Sequence, residues 1–148
     1  MVESGAGNGT WFSKGTDRHP VWHVNWRTGE LTVTGEVPEQ ATMKTVDGEI
    51  LQDNEAKRFR ADRAIADKKS NILTLTGHVS IYSPKRGANL RCDKLVYSAD
   101  EKLFRASGNV SFLSKNTTIV GIPAAFAASD FSQVASPDMY KESHATKP

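Results

Sequence analysis

Two aspartates recur at equivalent places in the chain and raise the question of acid–base chemistry. Asp62 stands in the segment RAD, and Asp93 stands in the segment RCD, 31 residues later. Paired carboxylates work as a catalytic site where burial and neighbouring charges perturb their pKa values and bring them together. The sequence shows no such convergence, so cross-strand ion pairs with arginines such as Arg60 and Arg91 are the favoured interpretation.

The other residues with chemical potential are scattered. The four histidines show no metal-ligand spacing such as HxxxH, and a metal site needs three or four converging donors. Cys92 is the only cysteine, which rules out an intrachain disulfide and a cysteine-based zinc site. No Ser-His-Asp pattern, GxSxG, HExxH or phosphate-binding glycine loop occurs. We therefore predict a protein that is not an enzyme and that uses no metal ion and no cofactor.

The charge balance limits the class of partner. The 148 residues carry 19 Lys and Arg against 17 Asp and Glu, a net charge of +2. A dedicated nucleic-acid binder needs many unopposed phosphate contacts, so no nucleic-acid partner is expected. One basic cluster, interrupted by aspartates, is typical of a solvated face or of a surface for an anionic lipid headgroup or sugar phosphate. It comprises Lys57, Arg58, Arg60, Arg63, Lys68 and Lys69.

One phrase of alternating apolar and polar residues with a central glycine occurs three times. It reads LTVTGEV at residues 31–37, LTLTGHV at 73–79 and FRASGNV at 104–110. The period of two predicts strands with one buried side. A glycine inside a strand weakens it, so its recurrence predicts a bend or bulge. The second copy places these residues on its buried face: Leu73, Leu75, Gly77, Val79 and Ile81.

The similarity extends upstream of the phrase and defines a repeat of about 30 residues. Residues 59–81 align without a gap on residues 90–112. The aligned upstream strands also alternate, with Phe59, Ala61 and Ile65 on one face, and Leu90, Cys92 and Val96 on one face. An insertion after the first phrase contains Asp47-Gly48, which predicts a hairpin turn. Bent antiparallel strands of this kind predict two facing sheets with an apolar ladder between them.

The domain boundaries follow from composition. The glycine-rich residues 1–19 are predicted to be a flexible leader or junction, residues 20–135 one β-domain, and residues 136–148 a disordered tail. Trp22 and Trp26 share a face near the start of the domain. Large aromatic residues usually fill cores, so a core role is favoured over a ligand platform.

These repeats resemble the periplasmic lipopolysaccharide-export family that includes LptC, LptA and the OstA-like domain of LptD. The stretch LTLTGHVSIYSPKRGANLRCDKLVYSADEKLFRASGNVSF carries the resemblance, through the motifs GHV, GNV, RAD and RCD and the acidic turns at Asp67 and Asp100. It covers residues 20–135. The segment VDGE at residues 46–49 and the length of a single domain favour an LptC-like member.

The resemblance implies a twisted β-jellyroll of two facing antiparallel sheets, open along one side, that holds lipid acyl chains. It also implies passage of lipopolysaccharide along a bridge of jellyrolls towards the outer membrane, with neighbours joined by edge-strand pairing. Its implied partners are other Lpt jellyrolls, the LptB, LptF and LptG transporter and a possible second copy. The implied location is the periplasm, with an N-terminal membrane anchor that this sequence does not contain.

An acyl chain requires an apolar slot, and the inward residues of the repeats are predicted to line it. The predicted lining residues are Leu73, Leu75, Val79, Ile81, Leu90, Val96, Phe104, Val110 and Phe112. Filling of a closed core is the alternative role of each of them. The rival function is a β-repeat protein- or carbohydrate-binding module that uses Trp22, Trp26 and its polar faces, and a right-handed β-helix enzyme ranks third.

Overall fold

The computed structural model describes residues 2–13, 19–34, 37–52, 55–128, 131 and 134–135 of the chain. Within them every regular element is a β-strand, which confirms the predicted all-β class. The strands are β1 (Val2–Ser4), β2 (Gly7–Phe12), β3 (Pro20–Thr34), β4 (Val37–Gln52), β5 (Glu55–Asp67), β6 (Ile72–Ser83), β7 (Ala88–Ser98), β8 (Leu103–Leu113), β9 (Thr118–Ala128) and β10 (Val134–Ala135).

The strands form one antiparallel sheet in nearly sequential order. The order is β1-β3-β4-β5-β6-β7-β8-β9-β10, and β2 also pairs with β3. The sequence of pairings does not close on itself, so the described sheet is open, as the jellyroll prediction required. The two predicted facing sheets are therefore two halves of a single sheet, and each long strand runs through both halves.

The repeated glycines lie where the strands bend. Gly77 has φ of 79° and His78 has φ of 49°, while Gly108 and Asn109 repeat this geometry with φ of 78° and 49°. At these points the pairing of β6 with β7 skips from Thr76 to Val79. Two successive residues in the left-handed region interrupt the pleat and turn the strand. The predicted bend at the central glycine is confirmed in these two copies.

The repeated aspartates explain why glycine is required at the bends. A Cβ atom on Gly77 would lie 2.5 Å from Oδ2 of Asp62, and one on Gly108 would lie 2.6 Å from Oδ2 of Asp93. These distances are shorter than any non-bonded contact that a carbon atom tolerates. Each recurring Asp therefore packs against the recurring Gly of the next strand, and the two residues together form one corner.

Each bend divides the sheet into what we call the first and the second half-sheet. The first half-sheet contains residues 20–26, 46–52, 55–61, 79–83, 88–92 and 110–113. The second half-sheet contains residues 28–34, 37–44, 63–67, 72–76, 94–98 and 103–107. Buried residues from both halves belong to one hydrophobic cluster, so the halves face each other across a shared interior.

The alternation of buried and exposed residues shifts by one position at the bends of β5 and β7, whereas β6 and β8 keep their phase. In β7, Leu90 and Cys92 are buried before the bend, and Leu95 and Tyr97 are buried after it. Val96 consequently lies on the outer face, and the prediction that it shares a face with Leu90 and Cys92 is wrong. Ile65 in β5 is displaced from its predicted face in the same way, because Ala64 and Ala66 are the buried residues there.

Two features near the start of the domain also differ from the prediction. Asp47-Gly48 lies inside β4, where Gly48 pairs with Val24, so it is not a hairpin turn. A Cβ atom on Gly48 would meet the backbone oxygen of His23 and the ring of Phe59, which explains the need for glycine. The first copy of the phrase is split, because β3 ends at Thr34 and β4 begins at Val37. Its glycine, Gly35, lies outside the described residues.

The predicted leader contributes to the sheet. Residues 7–12 form β2 along β3, and Trp11 is buried. Gly9 lies close to the ring of Trp11, since a Cβ atom there would approach the ring to 2.9 Å. In the sequence GNGTWF, small residues come before the bulky aromatic Trp11. This pattern fits a strand that packs on another aromatic ring, here that of Trp22. The predicted tail, residues 136–148, lies outside the described residues.

Candidate functional site

Eight of the nine predicted lining residues lie between the half-sheets. The exception is Val96 on the outer face. The eight are at most 3 % exposed, so their side chains pack together and fill the interior in this closed state. They are Leu73, Leu75, Val79, Ile81, Leu90, Phe104, Val110 and Phe112.

A chain of aromatic rings crosses the interior from one half-sheet to the other. Trp22 of the first half-sheet meets Tyr97 of the second with a centroid separation of 6.2 Å, and Tyr97 meets Phe104 at 4.9 Å. Trp11 of β2 extends the chain by packing on Trp22 at 6.2 Å. The contact of Trp22 with Tyr97 therefore joins the two walls opposite the bend.

The edge of the interior opposite the bend is what we call the mouth. A crevice of about 120 Å³ lies there between the two half-sheets. Val21 and Leu51 line it on the side of the first half-sheet, and Asn71 and Tyr97 line it on the side of the second. The second side is braced, because Asn71 Nδ2 donates to Asp100 Oδ1 at 3.2 Å and thereby links two turns. The mouth is thus a narrow crevice in this structure.

Two hydrogen-bond donors in this interior lack an acceptor. The indole N–H groups of Trp11 and Trp22 are buried, and neither has a hydrogen-bond partner in the described part of the chain. A buried donor without an acceptor costs about 1–3 kcal/mol. Trp22 is fully buried, which confirms its predicted core role and removes its ring from any surface platform.

A second concavity of about 720 Å³ lies at the bends, and exposed polar residues line it together with the buried residues Trp26, Val79 and Cys92. Arg60 and Arg91 line it together with the corner residues Asp62 and Asp93, so its charges are mixed. The exposed His78 Nδ1 lies 2.8 Å from Asp62 Oδ2. This hydrogen bond and the carboxylate charge raise the pKa of His78. The ion pair of Asp62 is thus with His78 rather than with the predicted arginines.

The buried Cys92 is a residue with nucleophilic potential. Burial, aided by the charge of Asp93, raises the pKa of Cys92 to about 12. The thiolate is the nucleophilic form, and it is scarce at neutral pH with such a pKa. Within the described residues no group of three or more His, Cys, Asp or Glu side chains could hold a metal ion.

Sequence reasoning missed several residues of the interior, among them Tyr97, Phe131 and Lys57. Tyr97 was missed because the phase shift at Asp93 reverses the faces of β7. Phe131 lies after an alanine-rich strand with little pattern, and Lys57 was assigned to a solvated basic face although it is buried. The change of face in β7 could have been predicted if the recurring Asp and Gly had been interpreted together as one corner. Nothing in the local sequence predicts the burial of Lys57.

Comparison with known proteins gives one family match. A sequence model described as "Lipopolysaccharide-assembly, LptC-related" matches residues 36–128. This range includes all the bent strands from β4 to β9. No curated protein matches the chain. The described part of the chain contains no helix of the length and apolarity needed to span a membrane.

Proposed function

The chain belongs to the LptC-related family of lipopolysaccharide-assembly proteins, and from this premise we propose that its apolar interior holds lipid acyl chains. The family takes part in lipopolysaccharide transport as a non-enzymatic component. We propose that the two half-sheets separate at the mouth and receive acyl chains between them.

The observation that carries the proposal is a large apolar interior inside a sheet that does not close. Eight predicted lining residues face one another there, and the half-sheets are continuous only at the bend. A buried CH₂ group contributes about 0.8 kcal/mol, so an acyl chain of roughly a dozen CH₂ groups contributes about 10 kcal/mol. Exposing one buried apolar side chain costs about 1.5–3 kcal/mol. The acyl chain therefore offsets, by order of magnitude, the loss of contact between several inner side chains when the half-sheets separate.

The unsatisfied indoles support an amphiphilic ligand rather than a plain hydrocarbon. Trp11 Nε1 and Trp22 Nε1 lie in the interior without acceptors. The acyl chains of lipopolysaccharide are attached through ester and amide carbonyls, which are hydrogen-bond acceptors. A carbonyl group that enters beside Trp22 would satisfy a donor that is unsatisfied in the closed state.

The edges of the sheet support a place in a bridge of several proteins. β10 pairs with β9 only at Ala127 and Phe126, so residues 118–125 of β9 present an outer edge that no described strand covers. Val120 on this edge is among the most exposed apolar residues described. Soluble proteins usually protect such edges, and an extended partner strand can pair with them. We propose that β9 pairs with a neighbouring jellyroll or with a second copy.

Membership of the family supports a location and partners for this chain. The LptC-related family is periplasmic and associated with the inner membrane. We propose the same location for this chain, with the LptB, LptF and LptG transporter as donor of lipopolysaccharide and another jellyroll as acceptor.

Photo-crosslinking at neighbouring positions tests the proposal. A photoreactive residue at Ile81 or Phe112 faces the interior, whereas one at Tyr82 or Leu113 faces outwards in the same strand. We expect lipopolysaccharide adducts at the two inner positions and few at the two outer ones. Equal labelling at all four positions, or none at the inner pair in a folded protein, would contradict acyl binding inside.

A second candidate function follows from the concavity at the bends. The filled interior and the concavity around Arg60 and Arg91 fit a module that binds a glycan or a protein at the bends. Substitution of Arg60 and Arg91 by Gln would abolish that binding. It would leave adducts at Ile81 unchanged, which separates the two functions.

A further inference from the structure

The fold divides the basic cluster of β5 between the two half-sheets. Arg58 and Arg60 are exposed on the outer face of the first half-sheet, and Arg63 is exposed on the outer face of the second. In the pairing of β4 with β5, Arg58 lies opposite Glu49, and Arg60 lies opposite Asp47. Opposite charges at facing positions stabilise a sheet. The two arginines of the first half-sheet therefore stand beside favourable partners.

Arg63 has a neighbour of the same charge. Lys44 of β4 lies directly opposite it, so two cations stand side by side on the outer face. Like charges at directly opposed positions destabilise a sheet. In the part of the chain that the structure describes, neither side chain forms an ion pair with a carboxylate. The same two strands thus keep one unfavourable charge pair next to two favourable ones.

A third cation continues this line across the sheet. Arg63 pairs with Thr76 of β6, and Thr76 pairs with Lys94 of β7. Lys44, Arg63 and Lys94 are all exposed. Neighbouring strands lie about 4.8 Å apart, so the three cations are distributed over about 14 Å. We call Lys44, Arg63, Thr76 and Lys94 the cationic row.

Two carboxylates stand beside the cationic row at the bends. Asp62 and Asp93 precede Arg63 and Lys94 in the chain, and both pack against the recurring glycines of the corners. Asp62 Oδ2 also lies 2.8 Å from Nδ1 of His78. The charge of Asp62 is thereby shared with His78, so it offsets the cationic row only in part.

A line of apolar side chains lies two residues further from the bend. In it, Ile65 pairs with Thr74, and Thr74 pairs with Val96. All three are half-buried on the outer face. An antiparallel sheet with one face in water normally carries polar residues on that face. Apolar area next to cations is instead typical of segments that bind at the headgroup region of a membrane.

We propose that this outer face of the second half-sheet docks on a bilayer surface that contains anionic phospholipids. Lys44, Arg63 and Lys94 contact the headgroup phosphates, and Ile65 and Val96 contact the apolar boundary beneath them. The anionic surface relieves the repulsion between Lys44 and Arg63 that the free protein bears. An acidic protein segment is the other occupant that the charges fit, and the adjacent apolar line favours the bilayer. The surface is separate from the interior, so this inference does not rest on acyl binding there.

Vesicle binding by the full chain tests the proposal. We expect the wild type to bind vesicles of phosphatidylglycerol and phosphatidylcholine in equal parts, and not vesicles of phosphatidylcholine alone. Each cation near an anionic bilayer strengthens binding about fivefold. The triple variant Lys44→Gln, Arg63→Gln, Lys94→Gln should therefore bind about a hundredfold more weakly. Higher ionic strength should weaken binding of the wild type, because the charges are exposed.

Arg58, Lys85 and Lys115 provide the matched control. All three are exposed and lie in the first half-sheet or in its turns. Replacing them together by Gln removes the same charge and should leave vesicle binding close to that of the wild type. Equal losses in the two triple variants would show that net charge alone attracts the protein, and would refute the cationic row. No binding of the wild type to the anionic vesicles would also refute the proposal and favour an acidic protein as the occupant.

Binding to both kinds of vesicle equally would contradict the proposal too, because neutral lipids offer acyl chains without the anionic charge. Photo-crosslinking of lipopolysaccharide at Ile81 reports on the interior, so its outcome is independent of all these results.

Stability measurements separate the cost of the charge pair from its use. Lys44→Gln removes the like-charged pair, so its urea midpoint should rise at low ionic strength while vesicle binding weakens about fivefold. Glu49→Gln removes a favourable pair from the same strand and should lower the midpoint. A lower midpoint for Lys44→Gln would show that the pair is not unfavourable and would contradict the premise. Circular dichroism verifies that each variant is folded.

Discussion

At the scale of single residues, the recurring Asp and Gly are one structural device. Asp62 packs against Gly77, and Asp93 packs against Gly108 in the equivalent place. The sequence suggested paired carboxylates as possible catalysts, with ion pairs as the favoured alternative. The structure gives them another role, since each carboxylate occupies the space that a side chain on the next strand would need. The geometry of the bend therefore accounts for the recurrence of Asp and Gly.

Replacement of Gly77 by Ala tests this corner. Gly87 is the matched control, because its φ is 59° and a Cβ atom there meets nothing within 4 Å. Gly87→Ala should cost about 1–2 kcal/mol, the penalty for an L-residue in the left-handed region. Gly77→Ala should cost roughly 1–3 kcal/mol more, because Asp62 must also move. Urea unfolding measures both, and equal costs would show that the Asp contact is unimportant.

The ion pair of His78 with Asp62 predicts a pH effect. The pKa of His78 is raised above its usual 6.5, mainly by the hydrogen bond to Asp62. A raised folded-state pKa means that the pair stabilises the fold below pH 6.5 and loses that contribution as pH rises through the folded value. Asp62→Asn should return the NMR titration midpoint of His78 to its usual value. An unchanged midpoint would contradict the assignment.

At the scale of elements, the strands could be predicted and their inner faces only in part. Alternation predicted one-sided strands, and Asp, Ser and Gly predicted the turns after β5, β6 and β7. The faces beyond each bend, those of Ile65 and Val96, could not be predicted by period two. In β5 and β7 the buried positions on either side of the bend are three residues apart instead of two, and alternation assumes that no such shift occurs.

The shifted phase of β7 predicts opposite costs at adjacent positions. Leu95 is buried in the interior, and Val96 lies on the outer face. Leu95→Ala should destabilise the fold by about 2–5 kcal/mol, because it leaves a cavity. Val96→Ala should cost less than about 1 kcal/mol. Chemical denaturation of the two variants gives the comparison. A larger cost at Val96 would restore the face predicted by simple alternation.

At the scale of the whole molecule, the candidate site is the space between two half-sheets of one bent sheet. Eight of its residues could be named from the sequence, because repeated apolar positions converge when the strands stack. A closed interior was the alternative prediction, but the contacts that close it could not be predicted. They are the contact of Trp22 with Tyr97 and those of Phe131 with Phe104 and Phe112, which join residues distant in sequence. Binding of an acyl chain between the half-sheets requires these aromatic contacts to separate.

The separation of the half-sheets can be measured as a distance across β8. Lys102 and Lys115 flank the two ends of this strand and are both exposed. Spin labels at these positions in a Cys92→Ser background report the bend angle by double electron–electron resonance. Lys68 and Lys102 provide the control pair, because their turns are linked through Asn71 and Asp100. With saturating lipopolysaccharide, the account predicts a longer distance between positions 102 and 115 and no change between 68 and 102. An unchanged 102–115 distance in a protein that has bound lipopolysaccharide would contradict it.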